Sequence, residues 1–120
     1  MAAKDELGRA GEDRAARYLT DAGYVILDRN WRCAKGELDI VAAQGSALSV
    51  VEVKTRRTAH FGHPFEAIDD RKRRRLWSLA HAWIHAHPHL AVGREVRLEA
   101  IGIIGDDPAS GALEHLGDLS

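Results

Sequence analysis

Residues 36–54 read GELDIVAAQGSALSVVEVK, and this stretch decides the fold of the chain. Two runs rich in apolar and β-branched residues, 37–43 and 47–55, lie on either side of the pair Gly45-Ser46. A Gly-Ser pair suits the two-residue loop of a type II′ β-hairpin, because glycine accepts the positive φ angle that this turn requires. The pattern therefore predicts two antiparallel strands joined by a tight turn.

The register of this hairpin predicts that two carboxylates face each other. Counted outward from a two-residue loop, Ile40 lies opposite Val51, and Asp39 lies directly opposite Glu52. Directly paired Cβ atoms are about 5 Å apart, so two like charges here destabilise the pair unless a divalent cation binds both. A three-residue loop would place Asp39 and Glu52 on opposite faces of the sheet. The predicted site therefore depends on the length of the loop.

A lysine follows the acid on the second strand. Alternation of side chains places Val50, Glu52 and Lys54 on one face, with successive members about 6.6 Å apart. A lysine is a mobile point charge that can hold a water molecule or stabilise charge on a scissile phosphate. An ordinary exposed pair on an edge strand also explains Glu52 and Lys54 when they are taken alone.

A third acid lies upstream, on a predicted helix over residues 4–22 that Gly23 terminates. Glu12 shares the apolar face of this helix with Ala15 and Leu19. Burying an unpaired carboxylate costs several kcal/mol, so such a group is normally paired, protonated or bound to a metal ion. Glu12 is thus a further candidate, and an acid at the helix rim that reaches solvent or an arginine is the alternative.

The rest of the chain adds helix and strand around the hairpin. We predict a first strand over 24–32, a long helix from about Phe65 to Ala86, a fourth strand over 95–104 and a short edge strand over 112–116. The buried face of the long helix is predicted to consist of Leu76, Leu79, Ala80 and Trp83. This order predicts an α/β fold, in which an N-terminal helix and a long second helix pack on a mixed sheet of four to five strands.

The whole chain has the composition of an ordinary globular domain. Its 120 residues are 45% hydrophobic and 29% charged, which excludes the disordered and membrane classes, and we expect one domain over residues 1–120. No apolar run approaches the roughly 20 residues that span a bilayer, and no signal-peptide pattern is present. The single cysteine, Cys33, cannot form an internal disulfide, which agrees with a reducing compartment. These features predict a cytoplasmic protein without a membrane partner.

The net charge of −1 means that a nucleic-acid partner must be bound by a local patch of positive charge. The best candidate is the basic run Arg71–Arg75, for which a solvated helix face is the alternative. Lys72 shares a helix face with Leu76 and Leu79, so we expect it to point toward the sheet and approach a phosphate. The residues predicted to contact a nucleic-acid backbone are Arg56, Arg57, Arg71, Lys72, Arg74 and Arg75.

The acids predict the kind of metal ion. Asp39, Glu52 and Glu12 include no soft ligand, so Mg²⁺ or Mn²⁺ suits them better than zinc. With Lys54 they fit metal-assisted hydrolysis of a phosphodiester. His81 and His85 have helical i, i+4 spacing, but no acid lies between them to act as a general base, and a solvated helix end explains them.

The arrangement of Asp39 followed by Glu52-Val53-Lys54 resembles the PD-(D/E)xK core of restriction-endonuclease-like nucleases. From about residue 8 to residue 104 the chain more closely resembles the YraN-like family of small, largely uncharacterised bacterial proteins, which are considered similar to Holliday junction resolvases. The segments that carry this resemblance are Gly11-Glu12, Arg29-Asn30-Trp31-Arg32, Gly36-Glu37-Leu38-Asp39-Ile40-Val41-Ala42 and Val51-Glu52-Val53-Lys54-Thr55-Arg56.

The resemblance implies a restriction-endonuclease-like fold. Asp39 and Glu52 would be metal ligands, Lys54 the catalytic lysine and Glu12 the acid carried by the helix. The chain departs from the pattern in two places: no proline precedes Asp39, and the family's Arg-Phe-Asp strand reads Arg97-Leu98-Glu99. Glu99 keeps a carboxylate, on a side chain one methylene longer than that of aspartate.

Three functions follow as hypotheses. The first is a Mg²⁺- or Mn²⁺-dependent endonuclease or resolvase that acts on branched, flapped or single-stranded DNA. The second is a nucleic-acid-binding module that keeps the fold without hydrolysis. The third is a protein-interaction adaptor that uses Trp77, Trp83 and the histidine-rich helix end. By analogy with resolvases, which make two symmetric cuts, a homodimer is the assembly to expect.

Overall fold

The structure is a computed structural model that describes the backbone of residues 2–60 and 62–119 and the side chains of residues 6–60 and 62–119. The helices are α1 (Ala2–Asp21), α2 (Asp70–Ala86) and α3 (Pro88–Ala91), with a 3-10 helix over Pro64–Ala67. The strands are β1 (Val25–Cys33), β2 (Gly36–Gln44), β3 (Ala47–Arg56), β4 (Glu95–Ile104) and β5 (Ala112–Leu116).

The hairpin of β2 and β3 has the predicted register. Gln44 pairs with Ala47 and Ile40 pairs with Val51, so the loop contains only two residues. Gly45 has a φ angle of +57°, the backbone conformation that its position in a type II′ turn requires. The ladder ends at the pair Ile40–Val51, one step before Asp39 and Glu52.

The five strands form one mixed sheet in the order β1-β2-β3-β4-β5. Every neighbouring pair is antiparallel except β3 and β4, which are parallel and are joined through α2. A parallel pair requires such a crossover, whereas the antiparallel pairs are joined by short connections. The predicted mixed α/β sheet and the edge position of residues 112–116 are confirmed.

The two long helices pack on opposite faces of the sheet. Ala15 and Leu19 of α1 lie in one apolar cluster with Ile40 and Val51. The predicted buried face of α2 is confirmed, since its members are 1% exposed and lie in the other cluster: Leu76, Leu79, Ala80 and Trp83. No helix in the described part of the chain combines the length and the hydropathy needed to cross a bilayer.

The predicted start of the long helix at Phe65 was wrong, because α2 begins at Asp70. Asp69 has extended backbone angles, and its side chain accepts a hydrogen bond from the main-chain amide of Lys72 at 2.8 Å, which makes it the N-cap. The chain before it forms the separate 3-10 helix, which packs on β4 at Gly102. A Cβ atom at Gly102 would lie 3.1 Å from the Phe65 ring.

Candidate functional site

Asp39 is tied to β3 by its side chain. Its Oδ2 atom accepts a hydrogen bond from the main-chain amide of Val53 at 2.9 Å, just past the last pair of the hairpin ladder. Val53 directly follows Glu52, so this bond holds the Asp39 carboxylate beside that of Glu52. The two acids that were predicted to face each other are brought together.

The charge of Glu52 acts on Asp39. Burial raises the pKa of Asp39 to about 8, and the neighbouring negative charge of Glu52 contributes in the same direction. The hydrogen bond from Val53 lowers the pKa but does not cancel these effects. Without a cation, ionisation of both carboxylates is therefore unfavourable.

Glu12 acts on this pair from α1. Its negative charge contributes to the raised pKa of Asp39, so the two carboxylates lie within electrostatic reach. Burial raises the pKa of Glu12 itself, while the charge of Arg29 and a hydrogen bond from the Asn30 side chain lower it. Glu12 is thus an acid near the site that also lies within the electrostatic influence of Arg29, whose ion pair is with Asp13.

Gly11 allows α1 to approach the end of β3. A Cβ atom at this position would overlap the hydroxyl oxygen of Thr55, which is one residue beyond Lys54 on β3. Glycine has no Cβ atom, so the helix backbone can lie directly against the strand. The residue after Gly11 is Glu12, and this close approach therefore sets the distance from Glu12 to the acid pair.

Lys72 lies at the site on the side of α2. Its Nζ atom is 3.0 Å from Oε2 of Glu52, and the two side chains are 33% and 12% exposed. The expectation that Lys72 points toward the sheet is confirmed. Its partner is a protein carboxylate, which the sequence did not reveal. The position of Lys72 on the buried face of the helix indicated only that its side chain points toward the sheet.

Lys54 is exposed and makes no ion pair with any residue in the described ranges. It pairs in register with Gly102 of β4, the position against which the 3-10 helix packs. Alternation along β3 places Lys54 on the same face as Glu52, two residues further on, and no acid among the described residues forms an ion pair with it.

The other basic residues that were predicted to contact a nucleic acid lie around the end of β3 and the start of α2. The exposed members, which pair with no acid within the described residues, are Arg57, Arg71, Arg74 and Arg75. Arg56 is half-buried, and its Nε atom has no hydrogen-bond partner in the described part of the chain. Arg73, by contrast, pairs with Asp70 on the same helix.

Glu99 belongs to a separate buried network. Its carboxylate is 1% exposed and accepts hydrogen bonds from the hydroxyl of Tyr24 at 2.9 Å, from Nε2 of His115 at 2.6 Å and from the hydroxyl of Ser49. Nδ1 of His115 is in turn 3.0 Å from the Tyr18 hydroxyl. Burial, followed by the bond to Glu99, raises the pKa of Tyr24 to about 12. These bonds engage the Glu99 carboxylate with its neighbours in the fold, and none of them involves Asp39 or Glu52.

The donor set at the acid pair fits Mg²⁺ or Mn²⁺. No group of three or more His, Cys, Asp or Glu side chains among the described residues is already arranged around a metal position. Mg²⁺ does not need one, because it commonly takes one or two carboxylates and keeps water molecules for the rest of its octahedron. Asp39 and Glu52 provide two adjacent hard oxygen donors, and Glu12 is the third acid within reach of Asp39.

Comparisons with known proteins identify relatives along almost the whole chain. The model of a family described as "Uncharacterised protein family UPF0102" matches residues 11–103. A "UPF0102 protein" of Arthrobacter sp. (strain FB24) is 47% identical over 97% of both chains. Another, from Streptomyces griseus subsp. griseus, is 43% identical over 100% of both chains. Neither description states a biochemical activity.

Proposed function

This chain belongs to the uncharacterised protein family UPF0102, and because that description carries no activity, we propose its function from the site: a metal-dependent endonuclease or resolvase that hydrolyses phosphodiester bonds in branched, flapped or single-stranded DNA. The observation that carries the proposal is the Asp39 carboxylate, held beside Glu52 by the Val53 amide at 2.9 Å. A fold gains no stability from two half-buried acids side by side, whereas a divalent cation is bound by them.

The residues of the site divide the work of such a reaction. Asp39 and Glu52 would bind Mg²⁺ or Mn²⁺, with Glu12 as the acid supplied by the helix. When bound, the metal ion polarises a phosphoryl oxygen and lowers the pKa of a bound water molecule. Lys54, which has no ion-pair partner among the described residues, would hold the attacking water or stabilise negative charge on the scissile phosphate.

DNA would be bound by the basic residues at the end of β3 and the start of α2. Their charges reach phosphates rather than base edges, so we propose that they recognise the shape of the substrate and not its sequence. Bacterial DNA is in the cytoplasm, and the proposal places the protein there. Two symmetric cuts at a junction would require a homodimer. The proposed contacts are Arg56, Arg57, Arg71, Lys72, Arg74 and Arg75.

A cleavage assay tests the proposal. The pure full-length protein is incubated with four-way, flapped and single-stranded DNA in Mg²⁺, in Mn²⁺ and in EDTA. We expect metal-dependent cleavage that Glu52→Gln reduces by at least about 100-fold, since one charged ligand is lost. The matched control is Glu95→Gln, which removes an exposed acid at the opposite end of the sheet. Equal cleavage by both variants, or none with any substrate, contradicts the proposal.

A second candidate is a nucleic-acid-binding module that does not hydrolyse its ligand. The observation that favours it is the ion pair of Lys72 with Glu52, which neutralises one of the two acids without a metal ion. This function predicts DNA binding that weakens steeply with salt, is indifferent to EDTA and is never followed by cleavage.

A further inference from the structure

Lys72 is placed at the acid pair by the start of α2. The Asp69 side chain accepts a hydrogen bond from the main-chain amide of Lys72 at 2.8 Å, which fixes the backbone of the first helical turn. From there the ammonium group reaches Glu52 at 3.0 Å. The stem of the side chain is flexible and the group is one-third exposed, so it can leave Glu52 by rotation about its own bonds while the helix stays in place.

We infer that Lys72 is the resident counter-cation of Glu52, that a divalent metal ion displaces it, and that the displaced ammonium group then binds a phosphate of the nucleic acid. The inference rests on the proposed function, because it requires the acid pair to bind a metal ion. It adds a competition between a protein side chain and the metal for the same carboxylate.

The neighbouring charges support this assignment. Asp39, Glu52 and Glu12 bring three carboxyl groups together at the site. Arg29, which acts on Glu12, already pairs with Asp13 at 2.8 Å. Among the residues that the structure describes, Lys72 is therefore the one that forms an ion pair with Glu52.

The competition links metal binding to DNA binding. While Lys72 occupies Glu52, the metal must displace a positive charge, so its affinity is reduced. A phosphate that accepts the ammonium group removes this opposition, and by reciprocity the bound metal makes Lys72 available to the phosphate. The alternative is a tether, in which the ion pair only holds α2 against β3.

Metal titration distinguishes competition between Lys72 and the metal ion from a tether that only holds α2 against β3. Mn²⁺ binding to the full-length protein is measured by electron paramagnetic resonance without DNA, in the wild type and in Lys72→Met. Loss of the competing cation should tighten Mn²⁺ binding by roughly two- to tenfold. Lys72→Arg, which keeps the charge, should stay close to the wild type. The control is Arg94→Met, which removes an exposed charge from a residue outside the proposed site and should leave Mn²⁺ affinity unchanged.

Unchanged or weaker Mn²⁺ binding by Lys72→Met, with a native circular dichroism spectrum, overturns the inference. Lys72→Gln is the second variant, because its polar head keeps contact with Glu52 if the methionine variant fails to fold. Glu52→Gln distinguishes this failure from failure of the proposed function. If Glu52→Gln abolishes Mn²⁺ binding but loss of Lys72 does not tighten it, only the competition is wrong. If Glu52→Gln changes nothing, both proposals are wrong.

Discussion

The side chain of Asp39 accepts a hydrogen bond from the main-chain amide of Val53, and this bond joins β2 to β3 beyond the last pair of their ladder. It also fixes the carboxylate of Asp39 beside Glu52. The same atoms thus hold the end of the hairpin together and build the candidate site. Substitutions at Asp39 should consequently alter both the stability of the chain and its affinity for a metal ion.

The raised pKa of Asp39 predicts how stability depends on pH without metal. Between its ordinary pKa of 3.8 and the raised value of about 8, the folded chain keeps a proton that the unfolded chain has lost. Stability from this group therefore falls as pH rises through that window. From pH 5 to pH 8 in EDTA, the free energy of unfolding of the wild type should fall by roughly 1–3 kcal/mol more than that of Asp39→Asn.

Urea unfolding at each pH measures this difference. The control is Asp106→Asn, which changes an exposed acid and should follow the wild-type pH dependence. An identical pH dependence for wild type and Asp39→Asn would contradict the raised pKa.

The close contact of Gly11 with Thr55 predicts that any larger side chain at position 11 destabilises the fold. Gly11→Ala would push α1 away from β3 and should lower the free energy of unfolding by about 1–3 kcal/mol. Gly8→Ala is the matched control on the same helix, since a Cβ atom there meets nothing within 4 Å. It should be neutral or stabilise the chain by up to about 1 kcal/mol, because alanine is the better helix former. Chemical denaturation measures the free energy of unfolding of both variants. Equal changes for Gly11→Ala and Gly8→Ala would contradict the close contact of Gly11 with Thr55.

The exposed charge of Lys54 predicts a substitution that removes activity without removing the fold. Lys54→Met should lower the rate of DNA cleavage by roughly 100-fold, because the charge on the scissile phosphate loses its partner. Thermal stability and Mn²⁺ affinity should stay near the wild-type values, since Lys54 forms no ion pair within the described residues. Single-turnover cleavage is compared with Arg94→Met, which removes an exposed charge from a residue outside the proposed site. A rate for Lys54→Met equal to that of the control would exclude a catalytic role.

The buried network around Glu99 predicts a substitution that lowers the stability of the fold without changing its affinity for Mn²⁺. Glu99→Gln replaces a carboxylate that accepts three hydrogen bonds with a group that must leave one donor poorly paired, at a cost of about 1–3 kcal/mol. Mn²⁺ affinity should not change, because Glu99 is engaged away from the acid pair. Glu95→Gln, at the exposed start of the same strand, is the stability control. A weakened Mn²⁺ affinity in Glu99→Gln would show that the network and the site are coupled.

Local chemistry made several elements predictable from the sequence. Gly45 and Ser46 set the two-residue loop, and the loop sets which residues pair across the hairpin. Alternation then indicated the faces of the strands, and helical spacing indicated the buried face of α2. The start of α2 was predicted too early, although aspartate is a preferred N-cap residue, because Phe65 belongs to the separate 3-10 helix and packs against Gly102.

By itself, the sequence determined that Asp39 and Glu52 come together, since they lie close along the chain and a tight turn leaves one register. Only the tertiary structure decided which charges surround them. Lys72 meets Glu52 across a parallel crossover, and Glu99 is drawn into bonds with Tyr24 and His115. Such contacts join residues far apart in the chain, so their partners depend on how the helices and strands pack and leave no local pattern to detect.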